Sequence, residues 1–533
     1  MDHVPRARAL PRVVLFFAAL GIAPFAPPVL AQPEAELETL KRQMQELIRV
    51  NAEQQKQIQQ LEQRLDHLST VGAPAEPAKR PPAQAAAPTP SVQTEIDKAL
   101  AEVRPPTDVT QPARTGAVAD LPALLARRVG GAQLRLIDVS FDTLVAAGWS
   151  TENGQTLRDL QGGAHDPTRR GFTLQQGELS FAGAVDPYFL GEAHIVFTDS
   201  FVELEEAFIT TTSLPYDLRL RGGYFLLPFG RINPTHAHAW TFIDQPVINT
   251  RLMGPEGLRS VGAELSWLAP LPWFSEVDVG VTDADEFDLT QSFLNGEAGI
   301  GGRPAVTTDV NNLGDLLYLA RFANFWEVSD EITGLLGFSG LYGPNSTGVG
   351  AQTFIYGTDL TFKWRPAENF RGWPFVVWQT EAMKRDYTAD WFIAGTQAEE
   401  TGGGHDHSHG GGEEEAMVDF PNNLPGALLR DYGFYSYVLW GFKHPWALGL
   451  RAEYASGSGR SVMDGSLVSR QGDPFRDDRL RISPLLVYQP SEFSRIRLQY
   501  NFDNAKFLPG DHSASSVWLG FEVLYGTHPA HKY

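Results

Sequence analysis

Cysteine is absent from all 533 residues, so the chain has no disulfide framework, no thiolate zinc site and no thiol nucleophile. Positive charge is scarce too: 43 Lys and Arg stand against 64 Asp and Glu, a formal net charge of −21 with pI near 5.0. That balance excludes a nucleic-acid-binding surface, which needs cations to neutralise phosphates. Beyond the N-terminus no uninterrupted apolar run reaches the about 18 to 20 residues of a membrane-spanning helix. A membrane-spanning β-barrel survives these exclusions. Its strands alternate lipid-facing and water-facing residues, so bulk composition stays ordinary, here 42% apolar. Catalytic signatures are missing as well: there is no His-Glu-x-x-His, no glycine loop before Lys-Ser/Thr and no Gly-x-Ser-x-Gly elbow, so no enzyme is expected.

The first residues predict an export signal over 1–31. Arg6, Arg8 and Arg12 precede an apolar stretch from Val13 to Ile22, and Val29-Leu30-Ala31 supplies small residues before a cleavage site at Gln32. Over 32–70 the apolar positions step by three and four: Leu37, Leu40, Met44, Leu47, then Ile58, Leu61, Leu65 and Leu68, with Asn51 and Gln54 filling the seam between. That heptad predicts a helical rod of about 48 Å whose seam is buried by self-association. Residues 71–131 read as a Pro/Ala-rich spacer with a short helical stretch from Thr94 to Val103.

From 132 to 533 the hydrophobic period becomes two. In Arg495-Ile496-Arg497-Leu498-Gln499-Tyr500-Asn501-Phe502-Asp503 the apolar residues take one face and the polar residues the other. Strands are expected near 133–149, 172–184, 188–198, 201–213, 216–228, 259–269, 273–284, 315–326, 330–343, 352–366, 373–386, 432–444, 446–457, 477–490, 492–504 and 515–526. Leu134 to Phe141 slips phase, which suggests a bulge. Tight linkers such as Val185-Asp186-Pro187, Leu214-Pro215, His444-Pro445 and Gln489-Pro490 alternate with long ones, as in a barrel with short turns at one end and long loops at the other. The fold expected is therefore all-β: a transmembrane antiparallel barrel of about 16 strands, preceded by a coiled coil. Its setting is the bacterial outer membrane, with the rod in the periplasm and lipid as its neighbour.

A barrel this wide leaves an aqueous lumen. Arg219, Arg221, Arg495, Arg497, Glu203 and Glu205 fall at inward positions. The linker after the fifth strand, 228–258, is far longer than a hairpin needs and is the third on its side. Here Gly223-Tyr224-Phe225-Leu226-Leu227-Pro228-Phe229-Gly230-Arg231-Ile232-Asn233, Asp244-Gln245-Pro246 and Gly257-Leu258-Arg259-Ser260-Val261-Gly262-Ala263-Glu264 resemble the phosphate-selective porins. The resemblance implies a sixteen-stranded trimer whose third loop folds inward and narrows the pore. Arg231, His236, His238, Asp244, Arg251, Glu256 and Arg259 are then the constriction residues. Three arginines against two carboxylates are too slight an excess to imply phosphate selectivity.

The sequence also resembles coiled-coil proteins labelled zinc-regulated TonB-dependent outer-membrane receptors. Such transporters plug a 22-stranded barrel with an N-terminal globular domain, and a heptad rod with a spacer is not one. A zinc connection has a separate basis in Gly404-His405-Asp406-His407-Ser408-His409, followed by Glu413-Glu414-Glu415, in the linker after the eleventh strand. His405, His407 and His409 can coordinate zinc weakly, opposed by the entropy of ordering a glycine-rich loop. No cofactor is required. Passive diffusion of small hydrophilic solutes through a homotrimer is the principal expectation. The alternatives are zinc-linked uptake and a tether that contacts the cell wall through the rod.

Overall fold

The computed structural model describes residues 137–526 apart from 286–289, 296–298, 308 and 393–422, and the backbone of two short paired strands, Ala126–Val129 and Ala132–Arg135. The expected signal sequence and rod, most of the spacer, and His405, His407 and His409 lie outside the described residues.

Sixteen antiparallel strands close into a barrel. In chain order they are β1 (Asp138–Ser150), β2 (Gly171–Asp186), β3 (Phe189–Phe197), β4 (Val202–Thr211), β5 (Leu218–Leu226), β6 (Arg259–Leu268), β7 (Phe274–Thr282) and β8 (Leu317–Ser329). They continue with β9 (Ile332–Pro344), β10 (Gln352–Trp364), β11 (Phe375–Ala389), β12 (Ala427–Lys443), β13 (Trp446–Ser458), β14 (Arg479–Ser491), β15 (Ser494–Ala505) and β16 (Ser513–Gly526). Each pairs with its neighbours in sequence, and β16 closes on β1 in a register running from Ser516 opposite Ser150 to Gly526 opposite Ser140. All sixteen expected segments are present. The first starts at Asp138 rather than 133, because Ala132–Arg135 turns back on Ala126–Val129.

The strands are inside out relative to a soluble protein. On β15, Leu498, Tyr500 and Phe502 are 45, 38 and 37% exposed, while Arg497, Gln499, Asn501 and Asp503 are at most 1% exposed. The burial of the polar set comes from loops that enter the lumen, and the exposed set forms a greasy belt that suits hydrocarbon. Exposed aromatics gather toward the strand ends: Tyr188, Trp267, Trp273, Trp440 and Trp446 at the short-turn end, Trp149, Phe172 and Trp391 at the other. Both ends of the barrel chain lie at the short-turn end.

Apart from register shifts beside four of the short turns, two bulges interrupt the ladder within the strands. Between β1 and β2, Leu144 faces Gln176 and Val145 faces Leu174, which leaves Gln175 without a partner residue. Between β3 and β4, His194 faces Glu206 and Ile195 faces Leu204, which leaves out Glu205. Strict alternation would send one of each adjacent pair to the lipid face. With the extra residue, Gln175 and Gln176, and likewise Glu205 and Glu206, all end up buried inside. The bulge expected within 134–141 is not found in the described part of β1, which alternates without a break from Ser140 to Ser150; the extra residue sits on β2, at Gln175.

Candidate functional site

The loop between β5 and β6, residues 227–258, lies across the barrel interior. Its apolar residues Leu227, Phe229, Val247, Ile248, Leu252 and Met253 are buried against inward side chains such as Leu341, Ile355, Met383 and Tyr435. Pro246 precedes a two-turn helix, α2 (Val247–Met253), and Gly254 ends it at φ 89°, a conformation that glycine adopts freely. The earlier helix α1 (Gly154–Leu160) sits in the loop between β1 and β2, with Leu157 and Leu160 buried.

Hydrogen bonds tie the inserted loop to the far wall. The Gly230 amide donates to Ser339 Oγ (3.1 Å), the Val247 amide to Glu453 Oε2 (2.7 Å) and the Ile243 amide to Gln499 Oε1 (2.8 Å). Its carbonyls accept in turn: Arg497 donates to Trp240 O and Phe242 O (2.9 and 3.0 Å), Arg495 to His238 O (2.6 Å), and Arg385 to Arg251 O (3.0 Å). Charged donors make these bonds stronger than ordinary amide pairs. Asp244 is the hub. It is 1% exposed and accepts from Arg451, from Arg481 (3.0 Å), from Gln499 (2.7 Å) and from Asn501 (2.6 Å). Burial would raise its pKa, yet Arg451 and Arg481 hold it well below the usual carboxylate range.

The near wall is acidic. His236 and His238, on a single turn of helix at Ala237–Ala239, meet carboxylates from β1, β2 and β4. His236 Nδ1 lies 3.3 Å from Glu178 Oε1 and 3.2 Å from Glu205 Oε2, and its Nε2 lies 2.7 Å from Glu206 Oε2. His238 Nδ1 lies 2.6 Å from Asp142 Oδ2 and 2.9 Å from Glu178 Oε2. His194, from β3, places Nδ1 3.0 Å from Glu178 Oε1. A second group joins His165 Nε2 to Glu256 Oε2 at 3.1 Å, with Glu203 beside it paired to Arg259 at 3.1 Å. Burial pulls the loop imidazoles down, but the carboxylates prevail: His165 is raised to about 9 by Glu256, His238 to about 10 by Glu178 and Asp142, and His236 well above its ordinary value by Glu205 and Glu178.

Six of the seven expected constriction residues therefore separate into two groups, and Arg251 stands apart from both. Arg231 and Asp244 line a cavity of about 1020 Å³ that opens among the short turns at Glu331, Arg371, His444 and Glu492. His236, His238, Glu256 and Arg259 belong to the acidic wall. Arg251 is buried with Nη1 and Nη2 making no hydrogen bond, and burial together with Arg479 lowers it to about 10. The expected inward arginines all face the interior polar set: Arg219 pairs with Glu276 (2.8 Å), Arg221 with Glu264 (2.5 Å), and Arg495 and Arg497 with Glu522 (2.5 and 3.3 Å). Asp142, Glu178, His194 and Glu206 were not foreseen. The adjacent polar pairs Gln175-Gln176 and Glu205-Glu206, inside otherwise alternating strands, were the available signal.

No family model matches the chain. It is 24% identical over 388 residues to an uncharacterized protein of Aquifex aeolicus strain VF5, covering 68% of this chain and 71% of that one. Solved structures with a similar fold include an anion-selective porin from Comamonas acidovorans, at 8% identity and TM-score 0.42, which spans 73% of this chain and 99% of its own. The outer membrane channel DcaP of Acinetobacter baumannii aligns at 9% identity and TM-score 0.44, spanning 73 and 97%. Likeness at this level says nothing about individual residues, and the barrel rests on its own strand pairing.

Proposed function

We propose that the chain is a passive outer-membrane channel for small hydrophilic solutes or ions, narrowed by its third long loop. The supporting observation is the pairing of a closed sixteen-stranded wall, apolar outside and polar within, with a loop anchored across its lumen. Sixteen strands enclose an aqueous space, whereas an energised transporter of the plugged type uses 22. The vestibule of about 1020 Å³ reaches from the short turns to Arg231, Trp240 and Asp244 on that loop, so the loop sets how far solute travels before it meets charge. The heptad of 32–70 supports self-association through the rod, on the periplasmic side and within reach of the cell wall, and a homotrimer is the assembly that the porin resemblance implies.

Purified protein in a planar lipid bilayer should give stepwise, ohmic conductance without an energy source. Silence in the bilayer, together with uptake that requires an energised inner membrane, would replace this reading with receptor-mediated transport.

A further inference from the structure

We propose that Asp142, Glu178, His194, Glu205, His236 and His238 form a site for two divalent transition-metal ions, bridged by Glu178, that fastens the inserted loop to the β1–β4 wall. The inference stands apart from the channel reading, since it concerns what the wall binds and not what passes through.

The donor geometry is the first support. Four-coordinate zinc with nitrogen and oxygen ligands at about 2.0 to 2.1 Å has neighbouring donors about 3.3 to 3.4 Å apart. Glu178 Oε1 lies 3.0 Å from His194 Nδ1 and 3.3 Å from His236 Nδ1, and His236 Nδ1 lies 3.2 Å from Glu205 Oε2. These are already close to the edges of such a tetrahedron. At the other Glu178 oxygen, His238 Nδ1 lies 2.9 Å from Glu178 Oε2 and 2.6 Å from Asp142 Oδ2, a tighter group whose two contacts must open by about 0.4 and 0.7 Å to seat an ion. Within each set, Glu178, His194 and His236 or Asp142, Glu178 and His238, the donor atoms all lie within 4.8 Å of one another.

Second, the ring of His236 is held as a ligand is held. With Nδ1 facing the ion, Nε2–H donates to Glu206 at 2.7 Å, which fixes the tautomer and raises the basicity of the coordinating nitrogen. Third, Asp142 is 3% exposed, and its Oδ1 makes no hydrogen bond while Oδ2 meets His238. A buried carboxylate oxygen without a donor is costly, and a cation removes the cost. Charge points the same way. Four carboxylates, counting Glu206, face three imidazoles. Two divalent ions with neutral imidazoles bring the cluster to neutrality, whereas three protonated imidazoles leave it one charge negative. The His165, Glu203 and Glu256 group differs, because Arg259 already supplies positive charge to Glu203.

Sequence accounts for the construction. Glu205 and Glu206 reach the lumen together only through the β3–β4 bulge, and His236-Ala237-His238 places both imidazoles on one loop turn. Imidazole and carboxylate donors suit Zn(II), Co(II) or Ni(II) in preference to Mg(II) or Ca(II).

The test uses the full chain, folded in detergent, with His405, His407 and His409 changed to Ala to remove binding by the glycine-rich loop. Zinc is counted by equilibrium dialysis and elemental analysis, and Co(II) is followed by its visible d–d absorption. The parent should hold about two equivalents with an intense, low-symmetry cobalt spectrum. H194A should lose about one, and E178Q and H236A/H238A should lose both. H512N, in the turn between β15 and β16, should match the parent. Heat-modifiable mobility on gels confirms that each variant is a folded barrel. Should E178Q fail to fold, H194A and the parent cobalt spectrum still decide. A folded parent that binds no metal below millimolar concentration, or an H194A chain that binds as much as the parent, overturns the site.

Discussion

Replacing Asp244 by Asn tests how the inserted loop is held. The carboxylate sits between Arg451 and Arg481 and accepts further bonds from Gln499 and Asn501. The amide keeps the shape and loses the charge. Removing one partner of a buried ion pair costs about 3 to 5 kcal/mol. Arg451 retains Glu453 at 2.8 Å and Arg481 retains Asp503 at 2.9 Å, so the low end applies, about 3 kcal/mol. At 1.36 kcal/mol per decade this shifts the balance between docked and released loop by about 150-fold. The absence of cysteine from the chain supplies the assay. Asn249, on α2, is 0% exposed, so a thiol placed there by N249C is protected while the loop is docked. When opening and closing are fast, its modification by a water-soluble reagent is proportional to the released population. N249C/D244N should react up to about 150-fold faster than N249C alone, and single channels should flicker more. A rate within about threefold of the N249C parent would mean that Asp244 is not what holds the loop.

Other perturbations reach different parts of the structure. Gly230 has φ 62°, and a Cβ added there would come within 1.5 Å of Glu381 Oε1, so G230V should weaken loop docking by about 1 to 3 kcal/mol, read as faster thiol modification at position 249. On the exterior, L498R places a charge in the greasy belt and should cost about 2 to 4 kcal/mol in urea titrations of folding into lipid vesicles; an unchanged midpoint would contradict the inside-out assignment. Deleting 37–68 should leave unitary conductance unchanged while chemical cross-linking recovers fewer trimers, and a changed conductance would show that the rod bears on the pore.

The barrel was legible in the sequence because a half-lipid, half-water strand must alternate, and alternation needs only neighbouring residues to be seen. Arg495 to Asp503 shows it plainly, and even weaker segments such as Ile332–Pro344 were located by the turns that flank them. The boundary at Asp138 was not legible, since Ala132–Arg135 has strand character but spends it on a local hairpin. The acidic wall was hidden for a different reason. Asp142, Glu178, His194, Glu206 and His236 come from five separate segments, and their meeting depends on barrel closure and on two bulges. The sequence picked out Glu203 and Glu205 as inward and His236, His238, Glu256 and Arg259 on the long loop, but not that they meet.

The two walls hold the loop by opposite chemistry, and this bears on what the loop can do. On the β11–β15 side, apart from the Asp244 carboxylate, arginines donate to main-chain carbonyls of Trp240, Phe242 and Arg251, contacts that depend on the path of the backbone and not on which side chains the loop carries. On the β1–β4 side, Gln175 also reaches the Ile243 carbonyl (3.0 Å), but the ion pairs run through His236 and His238, and those depend on side chains and on whatever cation the carboxylates gather. Loss of His236 and His238 should therefore loosen one edge while the arginine contacts persist, and loss of Asp244 should do the reverse. Because His236 and His238 stand at one end of residues 236–244 and Asp244 at the other, with Trp240 and Phe242 buried between them, the effects of their loss on docking should add only if that short segment bends freely. A double-mutant cycle on the thiol-modification rate, D244N against H236A/H238A, measures this directly. A coupling energy above about 0.5 kcal/mol would mean that the segment moves as one body, with both walls gripping a single lever.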